Sequence, residues 1–333
     1  MKMNINPVYR KELRVSVRSF KFAMMITAYN LLLSIVALFI FFVCFDARFH
    51  TTLDYSNILT VYMSVACIEF GLIFFIVPIL TSSSIAGERE RQTLEILLTT
   101  TLKPMQIIIG KLESSISMVL LLMVSSIPVV SIVFSIGGIG VSAVFGLLVL
   151  IIVSTILVGS IGIWCSAVLK KTIPSAVSTF GMLFIIIIGP MAILLMLSYS
   201  INIYYMTNKY NQPVPDMGNA GLILLINPVF SAISLFSKQF GNTSFLKEIL
   251  SGEFNCTVSS VITDNWFVCS VIVQLLFSVF VLFLASKHLD PLRKRRMRRK
   301  EKKALKELRA LEEAKLNMQA QEETDDSHTD ADA

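Results

Sequence analysis

Six long apolar stretches constrain the fold of this chain more than any other feature. They occupy residues 22–45, 57–81, 113–136, 141–169, 172–200 and 265–286. Each exceeds the roughly 20 residues that a helix needs to cross about 30 Å of hydrocarbon. Hydrophobic residues make up 54% of the chain and charged residues only 16%, which is far from the composition of a soluble domain. The sequence therefore predicts an all-α polytopic membrane protein with six transmembrane helices.

A seventh apolar run, Ala220–Phe236, is interrupted by Asn227 and Pro228. Proline breaks a helix interior, and Lys and Arg are retained on the cytoplasmic side of a membrane. A seventh crossing would place the basic C-terminal tail opposite the N terminus. We therefore expect both termini in the cytoplasm and a re-entrant hairpin within the outer segment 201–264, before the last span. Only four basic residues then lie outside: Arg48, Lys209, Lys238 and Lys247.

The first 21 residues predict an amphipathic helix at the cytoplasmic surface, ahead of a six-span domain at 22–286. Asn6 is a suitable cap and Pro7 a suitable first helical residue. Tyr9, Leu13, Val17 and Phe20 form an apolar stripe, and Arg10, Arg14, Arg18 and Lys21 form a basic one. We expect the basic stripe to contact anionic lipid headgroups. The alternative is a charge cluster that only sets topology.

The tail at 287–333 begins basic and ends acidic. Its basic part, Arg293–Lys303, follows the last span directly and contains Arg293, Lys294, Arg295 and Arg296. Such clusters attract anionic lipid at about 1 kcal/mol per cation. Nucleic-acid binding is not expected, because no aromatic residues alternate with these cations.

Between the second and third apolar runs lies a segment with mixed charges, Ser84–Thr100. Its charged residues Glu88 to Arg91 cannot lie in hydrocarbon, whereas its leucines recur at helical spacing. This pattern favours a helix that leaves the bilayer and lies on its surface, within a cytoplasmic segment 82–112. An ordinary solvated loop is the alternative. Pro104 is expected to begin the helix of the third span.

Glu69 is an acidic residue about half-way along the second apolar run. A carboxylate at that depth costs at least about 2.5 kcal/mol, so it should face protein or a water-filled path. It could line a substrate route or bind a coupling cation, or it could hold two helices together. Asn30 and Gln274 are candidate partners in other spans.

The sequence contains no complete enzyme motif. The three histidines are scattered through loops and the tail. Gly110-Lys111 is similar to the end of a phosphate-binding loop, but Met105 stands where that loop needs glycine and Leu112 where it needs Ser or Thr. We therefore expect no catalytic residues, metal site or cofactor on this chain.

Three sequence features resemble the permeases of type 2 ABC exporters. The segment Ser84–Leu98, followed by Pro104 and Gly110-Lys111, resembles the stretch between the second and third spans of that family. The segment Asn6–Leu13 resembles its interfacial helix, and Asn227-Pro228 is similar to its last outer loop. The likeness covers about residues 6–290.

The resemblance implies one permease half that pairs with a second permease and with separate cytoplasmic ATP-binding subunits, which would bind ATP and Mg²⁺. It implies a multi-pass protein of a bacterial cell membrane. A non-transporting assembly or sensor component that docks an ATPase is the alternative, and the substrate is not indicated. The implied ATPase-coupling residues are Glu88, Arg89, Glu90, Thr93, Leu94, Glu95, Leu97 and Leu98.

Overall fold

The computed structural model describes residues 7–44, 55–94, 104–137, 140–208, 214–242 and 244–289. Contacts divide the chain into two units, Met1–His288 and Leu289–Ala333. The basic tail residues Arg293 to Arg296 lie outside the described residues, as do Glu95, Leu97 and Leu98. Secondary structure in the described part is helical, with no strand.

Within the described residues, six helices are long and apolar enough to cross a membrane, as predicted. The short helix α1, Pro7–Val17, precedes them and begins at Pro7 as expected. The long helices are α2 (Phe20–Cys44), α3 (Tyr55–Glu90), α4 (Pro104–Gly137), α5 (Val141–Val168), α6 (Thr172–Asn208) and α10 (Trp266–Leu289). Pro104 begins α4, which confirms its predicted role as a helix start.

A bent pair of helices before the last span confirms the predicted hairpin. The 3₁₀ helix Gly218–Ile226 and α7, Pro228–Gln239, meet at 101°. Asn227 caps α7 by accepting a hydrogen bond from the Val229 N–H at 3.0 Å, and its Nδ2 donates to the Ile187 carbonyl at 2.8 Å. These bonds satisfy polar groups at the break, where Pro228 has no N–H to offer. Helices α8 (Phe245–Gly252) and α9 (Ser260–Asp264) complete this region.

Helix α3 lies at the centre of the bundle and contacts α2, α4, α5 and α6. It approaches α5 most closely at Gly162. A Cβ atom placed on Gly162 would lie 2.9 Å from the Thr81 Cβ, closer than real Cβ atoms approach. Small residues allow such close helix contacts where lipid offers no hydrophobic driving force. This contact fixes the end of α3 against α5.

The second span continues further than expected. We predicted that it ends at residue 81 and that a separate surface helix follows, but α3 is continuous to Glu90. The charged residues Glu88 to Glu90 therefore form the last turn of a membrane helix. The prediction of a separate helix holding them was wrong, because neighbouring helices supply polar partners that a lone span would lack.

Candidate coupling site at one end of the bundle

The ammonium of Lys111 is the centre of a buried polar site near the start of α4. Its Nζ donates to Glu12 Oε1 at 2.5 Å, to the Ser84 carbonyl at 2.7 Å and to Glu88 Oε1 at 3.0 Å. Lys111 is 1% exposed. An ammonium has three donors and all three are used, which is what makes its burial tolerable. We call Glu12, Ser84, Glu88 and Lys111 the Lys111 site.

Three helices contribute to the Lys111 site. Glu12 projects from α1, Ser84 and Glu88 from α3, and Lys111 from α4. A second hydrogen bond joins α1 and α4, between the hydroxyls of Tyr9 and Ser117, which lie 3.0 Å apart. Polar contacts made by two residues of α1, Tyr9 and Glu12, thus hold this short helix against the start of α4.

Burial shifts the titration of the acid on α1. It raises the pKa of the Glu12 carboxyl above its ordinary value, and the neighbouring Lys111 ammonium lowers that pKa in part. Desolvation disfavours the ionised carboxyl, whereas an adjacent cation favours it. The pKa of Glu12 is therefore raised on balance, with burial the larger effect and Lys111 opposing it.

Two further charges of α3 bind the connection between α5 and α6. Arg89 donates to the carbonyls of Leu169 at 2.8 Å and Ala167 at 3.0 Å. The Glu90 carboxylate accepts the N–H of Thr172 at 3.0 Å and also the Thr172 hydroxyl. These contacts cap both ends of the connection, since Ala167 and Leu169 end α5 while Thr172 begins α6.

Ser166 makes an unusual contact with the backbone of α3. Its hydroxyl accepts the N–H groups of Ile85 at 3.0 Å and of Ala86 at 2.8 Å. Both amides lie within a helix, where amides ordinarily bond to carbonyls four residues earlier. A side chain of α5 thus enters the hydrogen-bond pattern of α3, one turn before the charged residues.

A reversal of the backbone ends α3. Gln92 has a φ of 60°, the Thr93 N–H bonds the Glu88 carbonyl at 2.9 Å, and the Gln92 N–H bonds the Arg89 carbonyl at 3.1 Å. This is the bonding pattern of a Schellman C-cap. Thr93 also donates its hydroxyl to the Glu88 carbonyl at 3.2 Å, and Leu94 is buried.

The predicted coupling residues within the described part of the chain are thus engaged inside the protein. Glu88, Arg89 and Glu90 bind α4, α5 and α6, while Thr93 caps α3. Their contacts with an ATPase stay a prediction. So do the contacts expected of Glu95, Leu97 and Leu98, which lie outside the described residues.

The basic stripe of α1 lies apart from the Lys111 site. Arg10, Arg14 and Arg18 are exposed and line a shallow groove with Tyr9, Leu13 and Val17. Lys21, predicted to belong to that stripe, is exposed beside the cavity that contains Lys111. The break between α1 and α2 at residues 18–19 separates Lys21 from the other three residues. Lipid contact by these residues stays a prediction.

Glu69 is buried in the middle of the bundle, at 2% exposure. Its Oε1 accepts hydrogen bonds from the Tyr29 hydroxyl at 2.9 Å and the Ser126 hydroxyl at 2.8 Å. These donors lie on α2 and α4, so Glu69 joins three helices. The suggested partners were wrong. The side-chain amides of Asn30 and Gln274 instead donate to Ser125 at 2.9 Å and to Ser231 at 2.7 Å, respectively.

Sequence reasoning missed the two central residues of the site, Lys111 and Glu12. A signal for each was present. Lys111 is a lysine in the apolar pattern that begins the third span, and Glu12 is an acid among the basic residues of α1. A cation buried in a span needs an anion, so the pair could have been proposed from charge alone.

Comparison with known proteins agrees with this architecture. The model of the family described as ABC-2 family transporter protein matches residues 6–288, which include α1 and all but the last residue of α10. No curated protein matches the chain. The match confirms the resemblance drawn from the sequence. The chain belongs to the ABC-2 transporter family and is a multi-pass membrane permease of an ABC transporter.

Proposed function

We propose that this chain is one half of the permease of an ATP-driven exporter in a bacterial cell membrane. A second permease, identical or different, would complete the translocation path. Separate cytoplasmic subunits would bind ATP and Mg²⁺ and supply the energy. Membership of the ABC-2 transporter family supports an ATP-binding partner, and the resemblance to exporters supports the direction of transport.

The observation that carries this proposal is the set of polar bonds at the Lys111 end of the bundle. Through Lys111, Arg89 and Glu90, the last turn of α3 bonds to α1, to α4 and to the α5–α6 connection. In the sequence, Leu97 and Leu98, the proposed docking leucines, follow the C-cap at Gln92 by five and six residues. A displacement of the docking segment would therefore be passed to three parts of the permease at once.

The charges allow docking and coupling to be assigned to different residues. Glu88 and Arg89 are engaged within the chain, so we assign them to transmission. Glu95, Leu97 and Leu98 are assigned to docking. Apolar contact by Leu97 and Leu98 would supply affinity, and charge pairing by Glu95 would fix the register.

Two variants separate these roles in the full chain purified with its ATPase and reconstituted into vesicles. Leu97→Asp should abolish ATPase association. Lys111→Met should keep the association but reduce ATP-dependent export at least about tenfold, the effect of a coupling loss of about 1.4 kcal/mol. Lys170→Met is the matched control, because Lys170 is an exposed lysine at the same end of the bundle.

The outcomes distinguish the candidate functions. Export that requires ATP and fails in Lys111→Met supports the exporter with coupling through this site. ATPase association without any flux in the unaltered protein contradicts the exporter and favours an assembly or sensor component. Full association and full export in both Leu97→Asp and Lys111→Met would overturn the assigned roles.

A further inference from the structure

A cavity of about 710 Å³ opens beside the Lys111 site, between α1, the starts of α2 and α4 and the end of α3. Phe22 and Met25 of α2, Leu80 of α3 and Met118 of α4 give it one apolar wall. Lys111, Ser114 and Ser115 of α4 line its polar side, at the spacing of one helix face. Its position at the junction of an interfacial helix with spans is the depth at which phospholipid headgroups meet acyl chains.

Three buried polar atoms on the cavity wall have no hydrogen-bond partner among the described residues. They are Ser84 Oγ, Glu88 Oε2 and Ser114 Oγ. Ser114 is 1% exposed. Leaving a buried polar atom unpaired is costly, so such groups normally have a partner. When the Glu88 carboxylate is ionised, its Oε2 can accept a hydrogen bond but cannot donate one. Each serine hydroxyl can donate or accept. A group that fills this cavity must therefore carry hydrogen-bond donors.

Three cations at the cavity rim indicate the charge of the group that would fill the cavity. Lys11, Lys21 and Arg91 line it and are exposed, and none makes a salt bridge with a described residue. The carboxylates on the wall are already engaged, Glu12 and Glu88 by Lys111 and Glu90 by Thr172. The rim therefore favours an anion, and a phosphate fits a cluster of cations of this kind.

We propose that this cavity is a binding site for one anionic phospholipid whose headgroup carries hydroxyls, of the phosphatidylglycerol type. Lys11, Lys21 and Arg91 bind its phosphate. Its headgroup hydroxyls donate to Glu88 Oε2 and bond with Ser84 and Ser114. The apolar wall at Phe22, Met25, Leu80 and Met118 receives the first methylenes of its acyl chains. The site depends on membrane insertion and not on the proposed direction of transport.

This site differs from general attraction between a basic surface and an anionic membrane. Arg10 and Arg14 lie on α1, as Lys11 does, and Arg18 follows its end, but these three arginines line a separate groove with no unpaired buried oxygen among its described residues. They provide a matched comparison of equal charge. Surface attraction would depend on both sets of three cations alike, whereas a cavity site depends on the rim cations alone.

The experiment counts lipids retained by the full-length chain in detergent micelles, by native mass spectrometry. The protein is first equilibrated with equal amounts of phosphatidylglycerol, phosphatidylmethanol and phosphatidylcholine. We expect one retained phosphatidylglycerol and little phosphatidylcholine. Phosphatidylmethanol has the same charge but no headgroup hydroxyl, so it should be retained at least about tenfold less, since even one buried polar atom left unpaired costs about 1–3 kcal/mol.

Two triple variants then locate the site. Lys11→Gln/Lys21→Gln/Arg91→Gln should weaken phosphatidylglycerol retention about fivefold for each cation removed. Arg10→Gln/Arg14→Gln/Arg18→Gln should leave it unchanged. All six positions are exposed, so glutamine should not disturb folding, and circular dichroism checks this. Ser114→Ala should reduce the preference for phosphatidylglycerol over phosphatidylmethanol.

Several results would overturn the proposal. Equal retention of phosphatidylglycerol and phosphatidylcholine would exclude an anion site. Equal losses in the two triple variants would show surface attraction only. Equal retention of phosphatidylglycerol and phosphatidylmethanol would exclude recognition of headgroup hydroxyls. None of these results depends on ATPase association or export, so failure here is distinct from failure of the proposed function.

Discussion

Replacement of Lys111 by methionine perturbs the centre of the coupling site with little change in side-chain volume. Methionine keeps an unbranched apolar chain but has no charge and no donor. Glu12 and Glu88 lose the cation that binds them at 2.5 and 3.0 Å, and the Ser84 carbonyl loses its bond at 2.7 Å. We expect the variant to insert into the membrane and to fold less stably.

The amount of folding stability lost in Lys111→Met depends on how deeply the ion pairs of Lys111 are buried. Removing one partner of a buried ion pair costs about 3–5 kcal/mol. Lys111 is 1% exposed, but the side chains of Glu12 and Glu88 are 25% and 26% exposed, so water can partly solvate the two carboxylates left behind. The lower end of the range therefore applies. A loss of about 3 kcal/mol corresponds to a factor of roughly 100 in the folding equilibrium.

Glu12 makes this loss depend on pH. Burial raises the pKa of Glu12 in the folded protein, and Lys111 lowers it in part. An acid with a raised folded pKa contributes stability that is fully present below its unfolded pKa and lost as pH rises through the folded pKa. Removal of Lys111 raises the folded pKa of Glu12 further. The stability deficit of Lys111→Met should therefore be smaller at an acidic pH than at neutral pH.

Equilibrium unfolding in detergent micelles measures this effect through the chain's two tryptophans, Trp164 and Trp266, which lie in α5 and α10. Lys170→Met serves as control, since Lys170 is exposed and its replacement should change the unfolding free energy by less than about 0.5 kcal/mol. The reasoning is refuted if Lys111→Met is equally harmless, or if its deficit is the same at both pH values.

Two other predictions concern the interior of the bundle. Gly162→Ala should destabilise the protein by about 1–3 kcal/mol in the same unfolding assay, because the new methyl group overlaps buried Thr81. Gly181→Ala in α6 should not destabilise the protein, because no atom lies within 4 Å of its new methyl group. Equal losses of unfolding free energy in the two variants would contradict the packing argument. Tyr29→Phe should cost about 1–2 kcal/mol by removing a donor to buried Glu69, and no loss relative to the exposed Tyr199→Phe would show that this bond is dispensable.

The membrane helices and the hairpin could be predicted because they follow from additive local properties. Transfer of apolar residues into hydrocarbon sums along a segment, so composition alone locates a span. Proline at positions 7 and 104 determines helix starts through its fixed φ and missing N–H, and both starts are found in the structure. The distribution of Lys and Arg along the chain then argued against a seventh membrane crossing at Ala220–Phe236.

Partners of polar residues could not be predicted in the same way. Glu69 bonds Tyr29 and Ser126, whereas sequence reasoning suggested Asn30 and Gln274. The choice depends on which helix faces meet, and the pattern of apolar residues does not determine this in a span that is apolar all round. The continuation of α3 to Glu90 was missed for the same reason, since its charges are stabilised by groups on other helices.

The bonds of Lys111 indicate which element at this end of the bundle separates most easily. Displacing α1 from α4 breaks the Glu12 ion pair and the bond from Tyr9 to Ser117, but leaves Lys111 with Glu88 and the Ser84 carbonyl. Displacing α3 from α4 breaks both remaining bonds and also exposes the core around α3. Glu12 in addition regains water when α1 moves away, and loss of that water is what raises its pKa in the closed site. Release of α1 is therefore the less costly movement, and α3 with α4 forms the more stable part of the site.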